Sequence, residues 1–163
     1  MAIVVAVDDF ATAAAGLSQL DALDVEALRV MYRVETAGEV FYERLAASVP
    51  DESAAELLRR NGREERHHAE RIRRMIGLKL GKDYVPEGVD LEPMAVNLPD
   101  PFPVELLPAI VQGELAGDVG YQRWADNEPN ADVQKLLRLN GREESIHGRR
   151  VEEALAILGV AAS

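Results

Sequence analysis

Hydrophobic positions recur at intervals of three and four along most of the chain, the spacing of side chains on one face of an α-helix. Beyond residue 7 the strict alternation typical of β-strands is scarce. The pattern predicts four helices near residues 24–48, 52–78, 103–127 and 131–159. A composition rich in Ala, Leu, Glu and Arg, with only 5% aromatic residues, also favours an all-α fold.

The four predicted helices are two copies of one unit. Residues 24–78 match residues 103–157 at about twenty positions, without a gap, at an offset of 79. Pro50 coincides with Pro129, so each unit predicts a helix, a break at a proline and a second helix. Four prolines within residues 79–102 exclude a continuous helix between the units.

The length of the chain predicts one domain over residues 1–163, because 163 residues are enough for one hydrophobic core and too few for two ordinary domains. Two antiparallel helical hairpins joined by a long crossover are a known topology of four-helix bundles. The predicted segments are an N-terminal arm at 1–23, a first hairpin at 24–78, a crossover at 79–102 and a second hairpin at 103–159.

Acidic residues interrupt the apolar stripe of every predicted helix at mid-length. The first and third helices each carry one glutamate there, and the second and fourth each carry the sequence Glu-x-x-His. Residues three apart share a helix face, so each such pair can reach the same point. The polar residues expected to face the core at this level are Glu35, Glu65, His68, Glu114, Glu144 and His147.

Four carboxylates in one helical core require positive charge nearby, because each buried ion costs several kcal/mol. Protons neutralise part of such a charge, but two imidazoles beside two of the carboxylates favour metal. Two divalent ions would balance four carboxylates and two neutral histidines. Carboxylate-rich ligation, with one imidazole per ion in a chain without cysteine, favours iron or manganese. The alternative is a duplicated surface pattern without function.

This set of residues resembles the ligands of the ferritin-like di-iron carboxylate superfamily, which includes rubrerythrin and bacterioferritin. The resemblance covers residues 24–157 and implies a ferritin-like four-helix bundle with two iron ions per chain, manganese being the alternative. It implies that Glu65 and Glu144 bridge the two ions. The implied terminal ligands are Glu35 with His68 and Glu114 with His147.

Other residues are candidates for the surroundings of the ions. Glu64 and Glu143 resemble the acid of a family pattern, DExxH, in which that acid accepts a hydrogen bond from the second nitrogen of a ligand imidazole. Asn61 and Asn140, one turn earlier, are further candidates for contacts with the ligand side chains. The Arg-rich segments RIRRM and GRR are expected to be solvated.

Two tyrosines are candidate catalytic residues. Tyr42 and Tyr121, each seven residues after a predicted glutamate ligand, resemble the tyrosine beside many ferritin-like metal sites, which implies a redox role. The alternative is that both are core aromatics whose hydroxyls bond a carboxylate. Gly38 and Gly117, in the middle of helices, indicate close helix crossing or space above the metals.

The predicted function is a non-haem di-iron or di-manganese oxidoreductase of the rubrerythrin-like peroxidase or ferroxidase type. It would react with H₂O₂ or O₂ and oxidise Fe(II) or a small reductant. The chain departs from rubrerythrins at Gly117, where they carry another glutamate, and a rubredoxin domain is not expected in this sequence without cysteine. Cage-forming ferritins usually have a fifth helix, which is not predicted here. The alternatives are a non-catalytic iron-binding, buffering or storage protein and a purely structural helical bundle.

The net charge of −11 disfavours a nucleic-acid or anionic-membrane partner. The apolar run at residues 2–7 has no basic residue before it and ends at Asp8, too soon for a signal peptide or a membrane span. We therefore expect a cytoplasmic protein whose partners are O₂ or H₂O₂ and an electron donor of unknown identity. Residues 2–7 are expected to pack on the domain or on a neighbouring subunit, and a homodimer is expected.

Overall fold

The structure, a computed structural model, describes residues 7–161 as five α-helices without a β-strand. The all-α prediction is therefore confirmed for this part of the chain. The helices are α1 (Phe10–Ser18), α2 (Val25–Ser48), α3 (Glu52–Leu80), α4 (Leu107–Asp126) and α5 (Ala131–Leu158). No helix in residues 7–161 combines the length and the apolar character needed to cross a membrane. The expected N-terminal contact at residues 2–7 lies, apart from Val7, outside the described residues.

Side-chain caps and glycines set most helix ends. The residue before each of four helices accepts a hydrogen bond from a backbone N–H of the first turn, which satisfies a donor that the helix itself leaves free. These N-caps are Asp9, Asp24, Asp51 and Asn130. After α3 and α5 the chain turns at Gly81 and Gly159, whose φ angles of 68° and 69° favour glycine. Pro50 explains the end of α2 at Ser48, because the residue before a proline avoids helical geometry.

The helices pack as two hairpins. α2 lies along α3, α4 lies along α5, and the hairpins meet chiefly where α3 packs against α5. The segment between α3 and α4 follows α2 from its N-terminal to its C-terminal end. Near the start of α2, Arg29 Nε bonds Asp90 Oδ1 at 3.0 Å, and at its end Ser48 Oγ accepts from the Phe102 N–H at 2.9 Å.

Two apolar clusters fill the interior, one toward each end of the helices. One contains Leu28 and Ile72 and extends to α1, and the other contains Leu58 and Leu155, all of them buried. The residues between the two clusters, at mid-length of α2 to α5, include the predicted polar set. Hydrophobic burial at both ends therefore holds four helices around a polar centre.

Two elements differ from the predicted boundaries. Residues 1–23, expected to be an arm, contain the nine-residue helix α1, whose buried Ala13 and Leu17 pack against α2. α4 begins at Leu107 rather than near residue 103, because Val104–Leu106 forms one 3₁₀ turn before the α-helix starts.

Candidate metal centre

The six predicted metal ligands lie together between the two apolar clusters. They form two groups, and in each group the candidate ligand atoms are all within 4.8 Å of one another. One group is Glu35, Glu65, His68 and Glu144, and the other is Glu65, Glu114, Glu144 and His147. Both histidines are fully buried, and all the carboxylates except the partly exposed Glu114 are buried. Each group could hold a metal ion.

Glu65 and Glu144 belong to both groups, and each divides its two oxygens between the two histidines. Glu65 Oε2 lies 3.3 Å from His68 Nδ1, while Glu65 Oε1 lies 3.3 Å from His147 Nδ1. Glu144 Oε1 lies 3.2 Å from His68 Nδ1, while Glu144 Oε2 lies 3.5 Å from His147 Nδ1. A carboxylate that faces two neighbouring positions with separate oxygens has the arrangement of a bridging ligand.

The other two glutamates each approach one histidine. Glu35 Oε2 lies 3.5 Å from His68 Nδ1, and Glu114 Oε2 lies 3.8 Å from His147 Nδ1. The imidazole rings of His68 and His147 stack with centroids 5.2 Å apart and planes inclined by 14°. The six side chains therefore form two halves related by the 79-residue offset of the sequence.

The buried histidine nitrogens provide a test of whether these residues fit a metal. Within residues 7–161, His68 Nδ1 and His147 Nδ1 have no hydrogen-bond partner, although carboxylate oxygens lie 3.2 to 3.8 Å from them. The opposite nitrogens are bonded: His68 Nε2 to Glu143 Oε2 at 2.9 Å and His147 Nε2 to Glu64 Oε2 at 3.1 Å. This network assigns a proton to each Nε2 and directs each Nδ1 at the carboxylates. A buried nitrogen among carboxylates, without a hydrogen bond, is what a metal ligand requires.

The protein's own charges act strongly on the two imidazoles. Burial alone would lower the pKa of His68, but Glu143, Glu144 and the other neighbouring carboxylates outweigh it and raise the pKa well above its usual value. The same balance raises the pKa of His147 to about 12. The carboxylate cluster therefore attracts positive charge, which either protons or a metal cation can supply.

The predicted outer residues Glu64 and Glu143 contact the histidines, and each contact crosses between the hairpins. Glu64 on α3 bonds His147 on α5, and Glu143 on α5 bonds His68 on α3. Burial opposes the charged form of Glu143, but hydrogen bonds from His68 and Arg71 outweigh it and lower its pKa to about 2. Bonds from His147 and Arg150 likewise overcome burial and hold the pKa of Glu64 well below its usual range.

Two arginines in segments that are predicted to be solvated complete these contacts. Arg71 donates to both oxygens of Glu143, at 2.6 and 3.0 Å, and Arg150 donates to both oxygens of Glu64, at 2.7 and 2.9 Å. Their side chains are only 21% and 11% exposed, so the expectation of solvated faces is wrong for these two residues. One sequence signal could have identified them, since 71 and 150 differ by the same offset of 79.

Asn61 and Asn140 are fully buried and connect the arginines to the centre. Asn140 Oδ1 accepts from Arg71 at 2.7 Å, and Asn61 Oδ1 accepts from Arg150 at 3.1 Å. The Asn61 amide also donates to the backbone oxygen of His147 at 3.1 Å. Both predicted asparagines therefore contact the surroundings of the cluster without entering either group of candidate ligands.

The hydroxyls of Tyr42 and Tyr121 donate to Glu114 and Glu35, again across the hairpins. Burial, reinforced by these carboxylates, raises the pKa of both tyrosines well above the usual value, so both hydroxyls keep their protons as donors. Burial and repulsion from Glu144 also raise the pKa of Glu114. The contacts are those of hydrogen-bonded core aromatics, and the redox role of the tyrosines stays a prediction.

Gly38 lies where Glu65 of α3 approaches α2 closely. A β-carbon at this position would lie 3.0 Å from Glu65 Cγ, whereas one at Gly117 would lie 3.4 Å from Glu144 Cγ. The two glycines therefore leave room for the two shared carboxylates, with the tighter contact in the first hairpin.

No protein-family model, curated protein or solved structure matches this chain. Fold and site alone define its class: an all-helical protein whose interior holds a buried carboxylate–imidazole cluster able to bind a metal ion. The resemblance to ferritin-like proteins therefore stays a prediction from the sequence.

Proposed function

We propose that this chain is a ferritin-like four-helix bundle that binds two iron or manganese ions and acts as an oxidoreductase toward H₂O₂ or O₂. The observation that carries the proposal is the division of the Glu65 and Glu144 oxygens between His68 and His147. One cation would need only one oxygen from each carboxylate. Two carboxylates that each face both histidines suit a pair of cations.

Charge and ligand type support the same conclusion. Four carboxylates carry four negative charges, which two divalent cations and two neutral imidazoles balance. Oxygen ligands with one nitrogen per ion, and no sulfur, favour iron or manganese among common metals. When bound, a pair of such ions supplies two one-electron oxidation steps, which match the two electrons needed to reduce a peroxide.

The protein's own residues hold the centre in place. Glu35 and His68 would hold one ion, Glu114 and His147 the other. The pairs formed by Glu64 with His147 and Glu143 with His68 fix the imidazole orientation. The tyrosine hydroxyls each bond one oxygen of a terminal glutamate, which leaves its other oxygen free to face a histidine.

The test is anaerobic loading of the full chain with Fe(II), followed by separate additions of H₂O₂ and O₂ and measurement of near-ultraviolet absorbance. We expect two irons per chain and repeated oxidation when a reductant is present. A single oxidation with iron retained would instead favour the storage or buffering alternative. A chain that binds no iron would favour the purely structural alternative.

Substitution identifies the ligands. We expect Glu65→Ala and Glu144→Ala to abolish binding of the second iron, while Glu70→Ala, an exposed glutamate on the same helix as Glu65, leaves it unchanged. Two irons per chain with unchanged spectra in either ligand variant would contradict the bridging assignment.

A further inference from the structure

A cleft of about 280 Å³ lies between α2 and α4 and reaches the carboxylate cluster. Phe10 and Ala14 of α1 line one side of it, and the exposed residues Ala109 and Gly113 lie on the α4 side. Four carboxylates of the cluster also line it, namely Glu35, Glu65, Glu114 and Glu144. The cleft therefore connects the candidate metal centre to the surface on one side of the molecule.

The two halves of the chain differ where the cleft opens. Val34 on α2 corresponds to Gly113 on α4 at the offset of 79, although the ligand residues around them are identical. Apart from its own helical turn, a β-carbon at Gly113 would meet no atom of residues 7–161 within 4 Å, so packing within this part of the chain does not require a glycine there. A glycine within a helix costs about 1 kcal/mol relative to alanine. The absence of a side chain at Gly113 leaves open space at the mouth of the cleft, and we take this space as the reason for the glycine.

The walls of the cleft indicate the chemistry of a ligand. Met31, Phe41, Ile110 and Trp124 make the lining largely apolar, and no lysine, arginine or histidine is among the described residues that line it. An anionic group would meet apolar walls and four carboxylates, so it would lose its hydration without compensation. Because an apolar cavity of about 150 Å³ holds benzene, the cleft has room for one ring with a polar substituent.

We propose that this cleft binds a small uncharged molecule of single-ring size, such as a phenol, with its hydroxyl toward the carboxylates. Only the further step, that such a molecule is the reductant or substrate, rests on the proposed function. The binding itself depends on the cleft. Phenol binding without any peroxide or O₂ reaction would therefore refute the proposed function and leave this inference standing.

Trp124 reports on the cleft directly. It is the only tryptophan of the chain, it lines the cleft, and its indole Nε1–H donates to the Leu20 backbone oxygen at 2.8 Å. Phenol is titrated into the full chain, with and without Mn(II), while Trp124 is excited where phenol does not absorb. We expect a saturable fluorescence change with phenol and binding of benzoate that is weaker by about tenfold or more.

Two filling variants on opposite sides of the cleft test its location. Gly113→Leu and Ala14→Leu are each expected to weaken phenol binding by about tenfold or more. Gly16→Leu is the matched control, because Gly16 is also an exposed helical glycine whose added β-carbon would meet nothing within 4 Å, but it does not line the cleft. Circular dichroism checks that each variant remains helical. No saturable change with phenol, equal affinity in all three variants, or equal affinity for benzoate would overturn the inference.

Discussion

Arg71 is the residue whose replacement tests most directly how the protein prepares its candidate metal centre. It lies outside both groups of candidate ligands, yet it donates two hydrogen bonds to Glu143 and one to Asn140. Glu143 in turn accepts from His68 Nε2. Arg71→Gln removes the guanidinium from Glu143, a four-fifths buried carboxylate whose other partner within residues 7–161 is the His68 imidazole.

The magnitude follows from what Glu143 does for His68. A carboxylate that holds the outer nitrogen of a ligand imidazole contributes about tenfold to a hundredfold to metal affinity, or about 1.4 to 2.7 kcal/mol. Without Arg71, Glu143 keeps its hydrogen bond to His68 but loses the two hydrogen bonds from the guanidinium that fix the position of its carboxylate. We therefore expect Arg71→Gln to weaken metal binding by about tenfold, the lower end of that range. Arg150 donates to both oxygens of Glu64 in the same way, so we expect Arg150→Gln to weaken metal binding by a similar factor.

The assay is competition of Mn(II) or Fe(II) binding against a chelator, combined with nitrogen NMR of the histidine rings in the metal-free chain. The sequence contains only three histidines, so the rings can be assigned individually. Arg66→Gln is the control, since Arg66 makes a similar two-pronged contact with Glu39 on an exposed surface. Metal affinity and His68 ring signals in Arg71→Gln that equal those of Arg66→Gln would refute the reasoning.

Three further predictions follow from the same contacts. Gly38→Ala should destabilise the protein by about 1 to 3 kcal/mol in urea unfolding, because its β-carbon would press on Glu65, whereas Gly117→Ala should be neutral or slightly stabilising. Tyr42→Phe and Tyr121→Phe should each lower the free energy of unfolding by about 1 to 3 kcal/mol by removing a hydrogen bond to a buried carboxylate, yet retain two metals per chain by elemental analysis. Removal of metal with a chelator should lower the melting temperature measured by calorimetry. If the free metal concentration before removal was a hundred times its Kd, the free energy of unfolding should fall by about 2.7 kcal/mol.

Helical spacing predicts which candidate ligands lie together, because residues at intervals of three and four share one face of a helix. That rule places Glu65 and His68 on one face of α3, and the position of Glu35 within the apolar stripe of α2 directs it toward the same core. The same rule does not predict the contacts of Arg71, which lies toward the edge of this face. At the edge, the packing of the neighbouring helix decides whether a side chain meets solvent or a carboxylate. Glu143, the partner of Arg71, is 72 residues away on α5. Such a contact depends on how two helices pack, which the periodicity of one helix does not contain.

The same limit applies to α1 and to the cleft. Nine residues are two and a half helical turns, too few for a clear apolar stripe, and α1 is defined instead by the cap at Asp9 and the contact of Leu17 with the core. The cleft depends on the distance between α2 and α4, which follows from how both pack against other helices. The glycine at 113 is visible in the sequence, but the open space beside it is not.

The contacts around the centre also restrict how the two hairpins can pack. His68 with Glu143, His147 with Glu64 and the two tyrosine–glutamate pairs all join one hairpin to the other. A shift of α3 against α5 by one helical turn, about 5.4 Å, would break both histidine contacts at once and leave buried polar groups without partners. Apolar residues at the two ends tolerate such a shift better, because hydrophobic contacts are not directional. We infer that the polar centre selects the alignment of α3 and α5 in which both groups of candidate ligands form.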